Sequence, residues 1–307
     1  MSDEIISTLD LTKVYAQKKA LDSVNLTVHQ GDILGLVGKN GAGKTTLIRI
    51  LSGIVKPTSG SFKLFNDGDR NHLSSLLGNV SCMIEHPALY EELTGAENLV
   101  TACILKNISS PIQSGYVRKK MDFVGLGDLT DSKKKVKNYS LGMKQRLGIA
   151  MATIGEPKLM MLDEPTNGLD PSGIAEIRQL LVSLNQKNGA TILISSHILP
   201  ELEKFATSYV FIDQGKLLAS KSASELESTS GKSLIIKTND NQTAFNLLKE
   251  KGFKAVLVDD KIRVEDITQT SDVLNLLYAN QLTLNFMKEE ENSLEEYYLG
   301  LTGGNKQ

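Results

Sequence analysis

A glycine-rich run near the N-terminus has the residue types and spacing of a phosphate-binding loop. It matches the pattern G-x-x-x-x-G-K-[ST] and reads Gly38-Lys39-Asn40-Gly41-Ala42-Gly43-Lys44-Thr45-Thr46. Backbone N–H groups of such a loop surround phosphate oxygens at the start of a helix. The run follows a predicted buried strand and opens a predicted helix from Lys44 to Ser52. This context favours a nucleoside triphosphate site over a glycine-rich turn that binds nothing.

Three side chains at the end of this run could act on the phosphates. Lys44 would neutralise charge on the β- and γ-phosphates, and the Thr45 hydroxyl would ligate Mg²⁺. Thr46 would add a hydrogen bond to an α-phosphate oxygen. ATP and Mg²⁺ are therefore the expected cofactors.

Two adjacent carboxylates, Asp163 and Glu164, end an apolar strand further along the chain. Such a pair is costly at a strand end unless a cation or a proton shares the site. The functional interpretation makes Asp163 a Mg²⁺ ligand and Glu164 the base that polarises the attacking water. The alternative is a pair of solvated loop acids.

A second motif lies shortly before Leu162-Asp163-Glu164-Pro165 and reads Tyr139-Ser140-Leu141-Gly142-Met143-Lys144-Gln145-Arg146. Together with the phosphate loop, in this order, it resembles the ATP-binding subunit of an ABC transporter. The resemblance implies that Ser140, Leu141, Gly142 and Met143 bind the nucleotide held by a partner subunit. The active enzyme would then be a head-to-tail homodimer, driving separate integral membrane permease subunits.

The same resemblance suggests roles for three more residues. Asp170, in Asn167-Gly168-Leu169-Asp170-Pro171, matches the loop by which subunits sense each other, although it also suits the N-cap of a following helix. His197 matches the switch histidine that contacts the γ-phosphate, against the alternative of an ordinary surface histidine. Tyr15 lies where the family stacks a ring on adenine, although an aromatic residue on a strand often only packs.

Glu85, in Ser81-Cys82-Met83-Ile84-Glu85-His86-Pro87, departs from the general family pattern. Most ABC subunits have glutamine here, reaching Mg²⁺ while its loop contacts the permease. The glutamate and the variant second motif are similar to those of the bacitracin-resistance and lantibiotic-immunity transporters. The resemblance thus implies that Glu85 approaches the metal and the attacking water.

Composition limits the other classes of function. The formal charge of −2 gives no basic surface of the kind that nucleic acid requires. No stretch approaches the ~18 consecutive apolar residues that span a bilayer. Only Cys82 and Cys103 occur, both in apolar stretches and without metal-ligand spacing, so we expect buried thiols.

The elements that must position these residues follow from hydrophobic patterning. Continuous apolar runs at 33–37, 159–162 and 191–194 predict strands buried on both faces of a parallel sheet. Alternation from Ile5 to Val28 predicts an antiparallel sheet, and residues from about 90 to 150 predict an inserted helical subdomain. The expected fold is therefore an α/β P-loop core with an antiparallel β subdomain and a helical insertion.

A small accessory domain is expected after the core. Serines crowd the stretch that ends at Gly231, so we place the ABC ATP-binding domain at residues 1–220 and the accessory domain at 221–307. Downstream, the pattern predicts the order βαββαβ of a ferredoxin-like α+β unit. Ser293 and Glu296 predict a capping box for a last helix.

The leading hypothesis is a peripheral ATPase subunit, on the cytoplasmic face of the membrane, that exports a peptide antibiotic through its permease. The transported substrate would contact the permease and not this chain. Export of another amphiphile, drug or ion remains open, as does a soluble ABC ATPase without a transport role. A kinase transferring phosphate to a small acceptor does not account for the second motif.

Overall fold

The computed structural model describes residues 3–112, 114–229, 232–267, 269–291 and 293–303. The chain forms two compact units, Met1–Lys221 and Ser222–Gln307. Ser230 and Gly231, at the end of the serine-rich stretch, lie outside the described residues.

The first unit combines strands and helices in chain order. Its strands are β1 (Glu4–Tyr15), β2 (Lys18–Val24), β3 (Thr27–His29), β4 (Ile33–Val37), β5 (Ser59–Leu64), β6 (Val80–Met83), β7 (Leu159–Asp163), β8 (Thr191–Ser196), β9 (Ser208–Asp213) and β10 (Lys216–Ser222). Its helices are α1 (Lys44–Leu51), α2 (Leu73–Leu76), α3 (Gly95–Leu105), α4 (Tyr116–Phe123), α5 (Leu141–Ala152), α6 (Pro171–Asn188) and α7 (Leu199–Leu202).

The central sheet has the strand order β10-β9-β4-β8-β7-β6. Its pairs β4–β8, β4–β9, β7–β8 and β6–β7 are parallel. Every residue of β4, β7 and β8 is buried, which explains their uninterrupted apolar sequences. Because Val37 pairs with Ser196 and Asp163 with Ser195, the carboxyl ends of these three strands meet at one edge. Ligands bind at that edge in open α/β sheets.

The antiparallel sheet has the order β2-β1-β3, and β5 also pairs with β1. Its apolar side chains join one core with α1 and the central sheet; examples are Ile6, Leu21, Leu47 and Leu193. This confirms the expected antiparallel β subdomain beside an α/β core.

The helical insertion has a hydrophobic cluster of its own. Leu99 of α3, Met121 of α4 and Leu147 of α5 are fully buried in it. A capping box starts α3, with the Thr94 hydroxyl accepting from the Glu97 N–H and the Glu97 carboxylate accepting from the Thr94 N–H. The helical subdomain predicted from the sequence is confirmed.

The second unit begins with a short helix and continues as a sheet with helices. Its elements are α8 (Ala223–Thr229), β11 (Lys232–Thr238), α9 (Asn241–Glu250), β12 (Lys254–Val258), β13 (Lys261–Ile267), α10 (Thr270–Ala279), β14 (Leu284–Glu291) and α11 (Leu294–Leu301). The sheet order is β12-β13-β11-β14, and its pairs are antiparallel. From β11 to β14 the element order is the expected βαββαβ. The predicted capping box at Ser293 and Glu296 is present.

One expectation about the cysteines is wrong. Cys103 is buried, but Cys82 is exposed. Cys82 lies on β6, an edge strand of the central sheet. It lines a groove that is also lined by Lys106. An edge strand is covered less completely than a central one, so an apolar run there did not ensure burial. Desolvation by the groove walls still raises the pKa of the Cys82 thiol.

None of the helices in the described part of the chain has the length and apolar character needed to cross a membrane.

Candidate functional site

The phosphate loop is fixed in shape between β4 and α1. Gly43 is the N-cap of α1, with φ 115°. A Cβ there would lie 2.7 Å from the Ala20 carbonyl oxygen, and one at Gly38 would lie 2.4 Å from the Ile212 carbonyl oxygen. Only glycine fits both positions. Gly43 needs a left-handed backbone, and Gly38 lies too close to the backbone of Ile212 for a side chain. The loop therefore presents its N–H groups at the start of α1, where an anion is stabilised.

Lys44 is folded back onto protein atoms. Its side chain is 6% exposed, and its Nζ donates to the Gly38 carbonyl oxygen at 2.5 Å. The same Nζ lies 3.2 Å from Glu164 Oε1. That contact is an ion pair without hydrogen-bond alignment, since Glu164 Oε1 has no hydrogen-bond partner of its own. A phosphate that enters the loop would replace these partners and bind the ammonium group.

Asp163 is buried and holds two hydroxyl groups, one on each carboxylate oxygen. Thr45 Oγ1 donates to Oδ2 at 2.7 Å, and Ser195 Oγ donates to Oδ1 at 2.6 Å. Asp163 and Ser195 are register partners on the adjacent parallel strands β7 and β8. The sequence analysis did not single out Ser195 as a site residue. The available signal was a hydroxyl residue at the carboxyl end of a buried strand beside β7.

Glu164 is held in a left-handed backbone conformation, with φ 51°. Its N–H donates to Ser195 Oγ at 2.9 Å, and its Oε2 lies 2.7 Å from His197 Nδ1. The His197 N–H also reaches Oε2, at 3.3 Å. The structure thus brings Glu164 and His197 together beside Lys44. Non-glycine residues in this conformation are uncommon and concentrate at functional sites.

Lys44, Thr45 and Glu164 face an open cleft, and Tyr15 is exposed among the residues that line it. The cleft is lined by Tyr15, Lys18, Ala20, Lys39, Asn40, Gly41, Gly43, Lys44, Thr45, Thr46 and Glu164. Lys13 Nζ lies 5.0 Å from the centroid of the Tyr15 ring. The ring is therefore accessible for stacking, with a cation on it. Most of the predicted nucleotide-binding residues of the first motif share this cleft.

The second motif does not line that cleft. Ser140 is the N-cap of α5, and its Oγ accepts from the Met143 N–H at 3.3 Å. Leu141 is exposed, and a Cβ on Gly142 would lie 3.7 Å from Leu169 Cδ2. Within this chain, Leu141 and Gly142 thus lie against the loop before α6, and Ser140–Met143 does not line the cleft of the phosphate loop.

Asp170 occupies the predicted N-cap of α6. Its Oδ1 accepts from the Gly173 N–H and its Oδ2 from the Ser172 hydroxyl, both at 2.9 Å. The hydrogen bond from the Gly173 backbone, followed by that from Ser172, lowers the pKa of this carboxyl group. The capping role is observed, and the role in contact between subunits stays a prediction.

Glu85 lies in a different contact from the expected one. It is exposed, has φ 61°, and its Oε1 accepts from Arg49 Nη2 at 2.8 Å. Arg49 lies in the last turn of α1, so Glu85 contacts that turn and not the Thr45–Asp163 pair. The approach of Glu85 to the metal stays a prediction, and it requires this ion pair to open.

The donor set at Thr45 and Asp163 fits Mg²⁺. Mg²⁺ in nucleotide sites keeps several waters and takes only one or two protein ligands beside the phosphates. A hydroxyl oxygen and a carboxylate oxygen 2.7 Å apart at the foot of the phosphate loop supply such ligands. Among the described residues there is no cluster of three or more His, Cys, Asp or Glu that could hold a metal without a nucleotide.

A phosphate loop after β4 of an α/β sheet, with two acids at the end of β7 on the far side of β8, defines a nucleotide-hydrolysing ATPase of the P-loop class. Comparison with known proteins narrows this class. The family model for ABC transporters matches residues 21–167. The chain is 40% identical over 305 residues to the bacitracin transport ATP-binding protein BcrA of Bacillus licheniformis, covering 98% of each protein.

Two further similarities agree. The lantibiotic transport ATP-binding protein SrtF of Streptococcus pyogenes is 42% identical over 212 residues, which are 69% of this chain and 88% of that protein. The structure of cbiO1 from Clostridium perfringens, part of the ABC transporter complex cbiONQ, superposes with a TM-score of 0.66 at 27% identity, over 74% of this chain and 91% of that one. This chain belongs to the ATP-binding proteins of ABC transporters. It binds ATP and hydrolyses it.

Proposed function

We propose that this chain powers a separate membrane permease that exports a peptide antibiotic of the bacitracin or lantibiotic type. The observation that carries the transport part is the separation of two half-sites: Lys44, Thr45 and Glu164 share one cleft, while Ser140–Met143 does not line it. One chain therefore holds an incomplete site of the kind that a second cassette completes.

In and beside this cleft the proposed chemistry is divided among six side chains. Lys44 leaves Glu164 and binds the β- and γ-phosphates, and the ring of Tyr15 stacks on the adenine. Thr45 and Asp163 would hold Mg²⁺, which would neutralise phosphate charge. Glu164 then accepts the proton of the attacking water as its general base. His197, already 2.7 Å from Glu164, orients that carboxylate and contacts the γ-phosphate.

The second half-site explains the proposed dimer. Ser140 and Gly142 stand at the N-terminus of α5, where backbone N–H groups and the helix dipole favour an anion. Two copies arranged head to tail would place this terminus against the γ-phosphate in the cleft of the other copy. Asp170, at the N-cap of α6, would lie in the same contact.

The permease is proposed to bind beside Glu85. A groove there is mostly apolar and is lined in part by Ile54, Met83, Pro87, Leu105 and Met151. Ile54 and Leu105 are exposed, which suits burial against a partner. A permease segment in this groove would touch the Glu85–Pro87 loop and so act on the ion pair with Arg49. We infer that the chain works on the cytoplasmic face of the membrane through this contact.

The substrate class rests on similarity along nearly the whole chain, including the second unit, to a protein named for bacitracin transport. Glu85 and the variant second motif agree with this subfamily.

Survival of cells tests the proposal. Cells that produce the chain with the membrane protein that co-purifies with it should tolerate more bacitracin or lantibiotic than cells producing Glu164→Gln. Glu85→Ala should lose both hydrolysis and tolerance. Glu85→Gln keeps one oxygen acceptor and should retain hydrolysis with weaker protection. A parent chain that hydrolyses ATP, yet protects no better than Glu164→Gln, contradicts peptide export.

A further inference from the structure

The second unit has two sheet edges of unlike chemistry. In the described part of the chain, β12 and β14 are the outer strands of its sheet. β14 carries Lys288 and Glu289, and its pairing with β11 contains a register shift. Charges and irregular pairing are devices that keep an edge from pairing with another chain.

β12 has neither protection along most of its length. After Lys254 it reads Ala255-Val256-Leu257-Val258, and its register with β13 runs without a shift through all five residues. Val256 is 47% exposed and Val258 is 50% exposed, although valine favours strands that are buried on at least one face. A regular, uncharged, β-branched edge is suited to adding another strand.

We propose that β12 pairs with β12 of a second copy of this chain, in antiparallel orientation about a two-fold axis. The ends of the strand select this partner and direction, since β12 begins at Lys254 and is followed by the acidic turn Asp259–Asp260. Antiparallel self-pairing sets the basic start of each strand beside the acidic turn of the other. Parallel pairing would set like charges together.

The register that satisfies both charge and packing centres on Leu257. Leu257 then faces its own counterpart, and Val256 of each copy faces Val258 of the other. Both valines lie on the sheet face that carries Arg263, whereas Ala255 belongs to the core face. The pairing therefore joins two four-stranded sheets into one. Because the contact is symmetric, it covers Val256 and Val258 in both copies.

This contact is distinct from the nucleotide-dependent contact of the cassettes, because no residue of the phosphate loop or of Ser140–Met143 takes part. It is independent of the transported substrate. Its consequence is that two chains are joined before ATP binds, so that closure of the cassettes becomes an event within one assembly, with a raised effective concentration.

Sedimentation of the full chain in EDTA without nucleotide tests the proposal. The parent should form dimers as its concentration rises. Val256→Glu should weaken dimerisation by about tenfold or more, because symmetry repeats the change at two cross-strand pairs. The matched control is Phe286→Glu, on the same face but on the opposite edge strand, where the native residue is 38% exposed and stacks with Lys261. It should dimerise like the parent.

Hydrogen exchange of the unmodified chain supplies a second measurement that needs no variant. Amide protons of residues 254–258 should become more protected at high protein concentration, while those of 284–289 should not change. A parent that remains monomeric without nucleotide overturns the proposal, as does a Val256→Glu chain that is folded by circular dichroism and still dimerises normally. If β12 paired only with the permease, the parent would remain monomeric without nucleotide, and the proposal would be overturned.

Discussion

Replacing Glu164 by glutamine should separate ATP binding from ATP hydrolysis. Glu164 Oε1 lies 3.2 Å from Lys44 Nζ, and the two side chains are 18% and 6% exposed. A phosphate must displace this contact to reach the lysine. Glutamine keeps the shape and one acceptor oxygen but removes the negative charge that competes with phosphate.

The magnitudes follow from the two roles of the carboxylate. A hydrogen bond to a charged group contributes about 1.5–3 kcal/mol, and glutamine retains part of it. Removing about 1 kcal/mol of competition should tighten ATP binding about fivefold, since 1.4 kcal/mol is tenfold. Loss of a general base should slow turnover by about 10²-fold or more. Binding and turnover should thus change in opposite directions.

Equilibrium binding of a labelled ATP, measured beside steady-state phosphate release, checks both effects. Glu156→Gln is the matched control: Glu156 has the same positive φ of 51°, is exposed, and does not line the cleft. It should leave both quantities unchanged. Turnover near the parent value in Glu164→Gln would remove this residue from the base role. Weaker ATP binding would refute the competition between glutamate and phosphate for Lys44.

Three other changes have defined outcomes. Ser195→Ala should raise the Mg²⁺ concentration for half-maximal turnover about 10- to 100-fold, because Asp163 loses a donor that orients it. Nucleotide binding in EDTA should not change. Ser196→Ala should leave the required Mg²⁺ concentration unchanged, because the native Ser196 Oγ only accepts from the Ile198 N–H. Tyr15→Ala should weaken ATP binding by roughly 1–3 kcal/mol, and Tyr15→Phe should restore it. The Asp67 carboxylate raises the pKa of His72 through a side-chain hydrogen bond, so this contact stabilises the fold below about pH 6.5 and is lost as pH rises through the raised pKa. Thermal unfolding of His72→Gln should therefore occur below the parent's temperature at about pH 5.5 and match it at about pH 8.5, and an equal decrease at both values would contradict the argument.

Local features of the chain were predictable from sequence because their causes are local. The strand, loop and helix around Lys44 follow from a continuous apolar run, obligatory glycines and a helix start that lie within twenty residues of one another. The same holds for the caps at Asp170 and Ser293, where one side chain satisfies N–H groups three residues away.

Contacts set by sheet register or by tertiary packing were not predictable in this way. The Ser195 hydroxyl reaches Asp163 only because β7 and β8 are parallel neighbours in one particular register. The pairing of Glu85 with Arg49 depends on where a loop passes α1, and the strands β5 and β6 and the helix α2 separate the two residues in the chain. Cys82 was misjudged because apolar sequence does not distinguish a central strand from an edge.

The protein contacts of three side chains suggest why an isolated chain should hydrolyse ATP slowly. Three groups assigned to catalysis are each held by a protein partner: Lys44 by Gly38 and Glu164, the Thr45 hydroxyl by Asp163, and Glu85 by Arg49. Entry of Mg-ATP can replace the first two sets of contacts, because it brings phosphate to the lysine and a metal to the hydroxyl oxygen. It brings nothing to Arg49 on the outer side of α1. In the proposed cycle the third contact therefore opens only when the permease, bound at the Glu85–Pro87 loop, moves that loop. Hydrolysis would thus depend on the permease through Glu85.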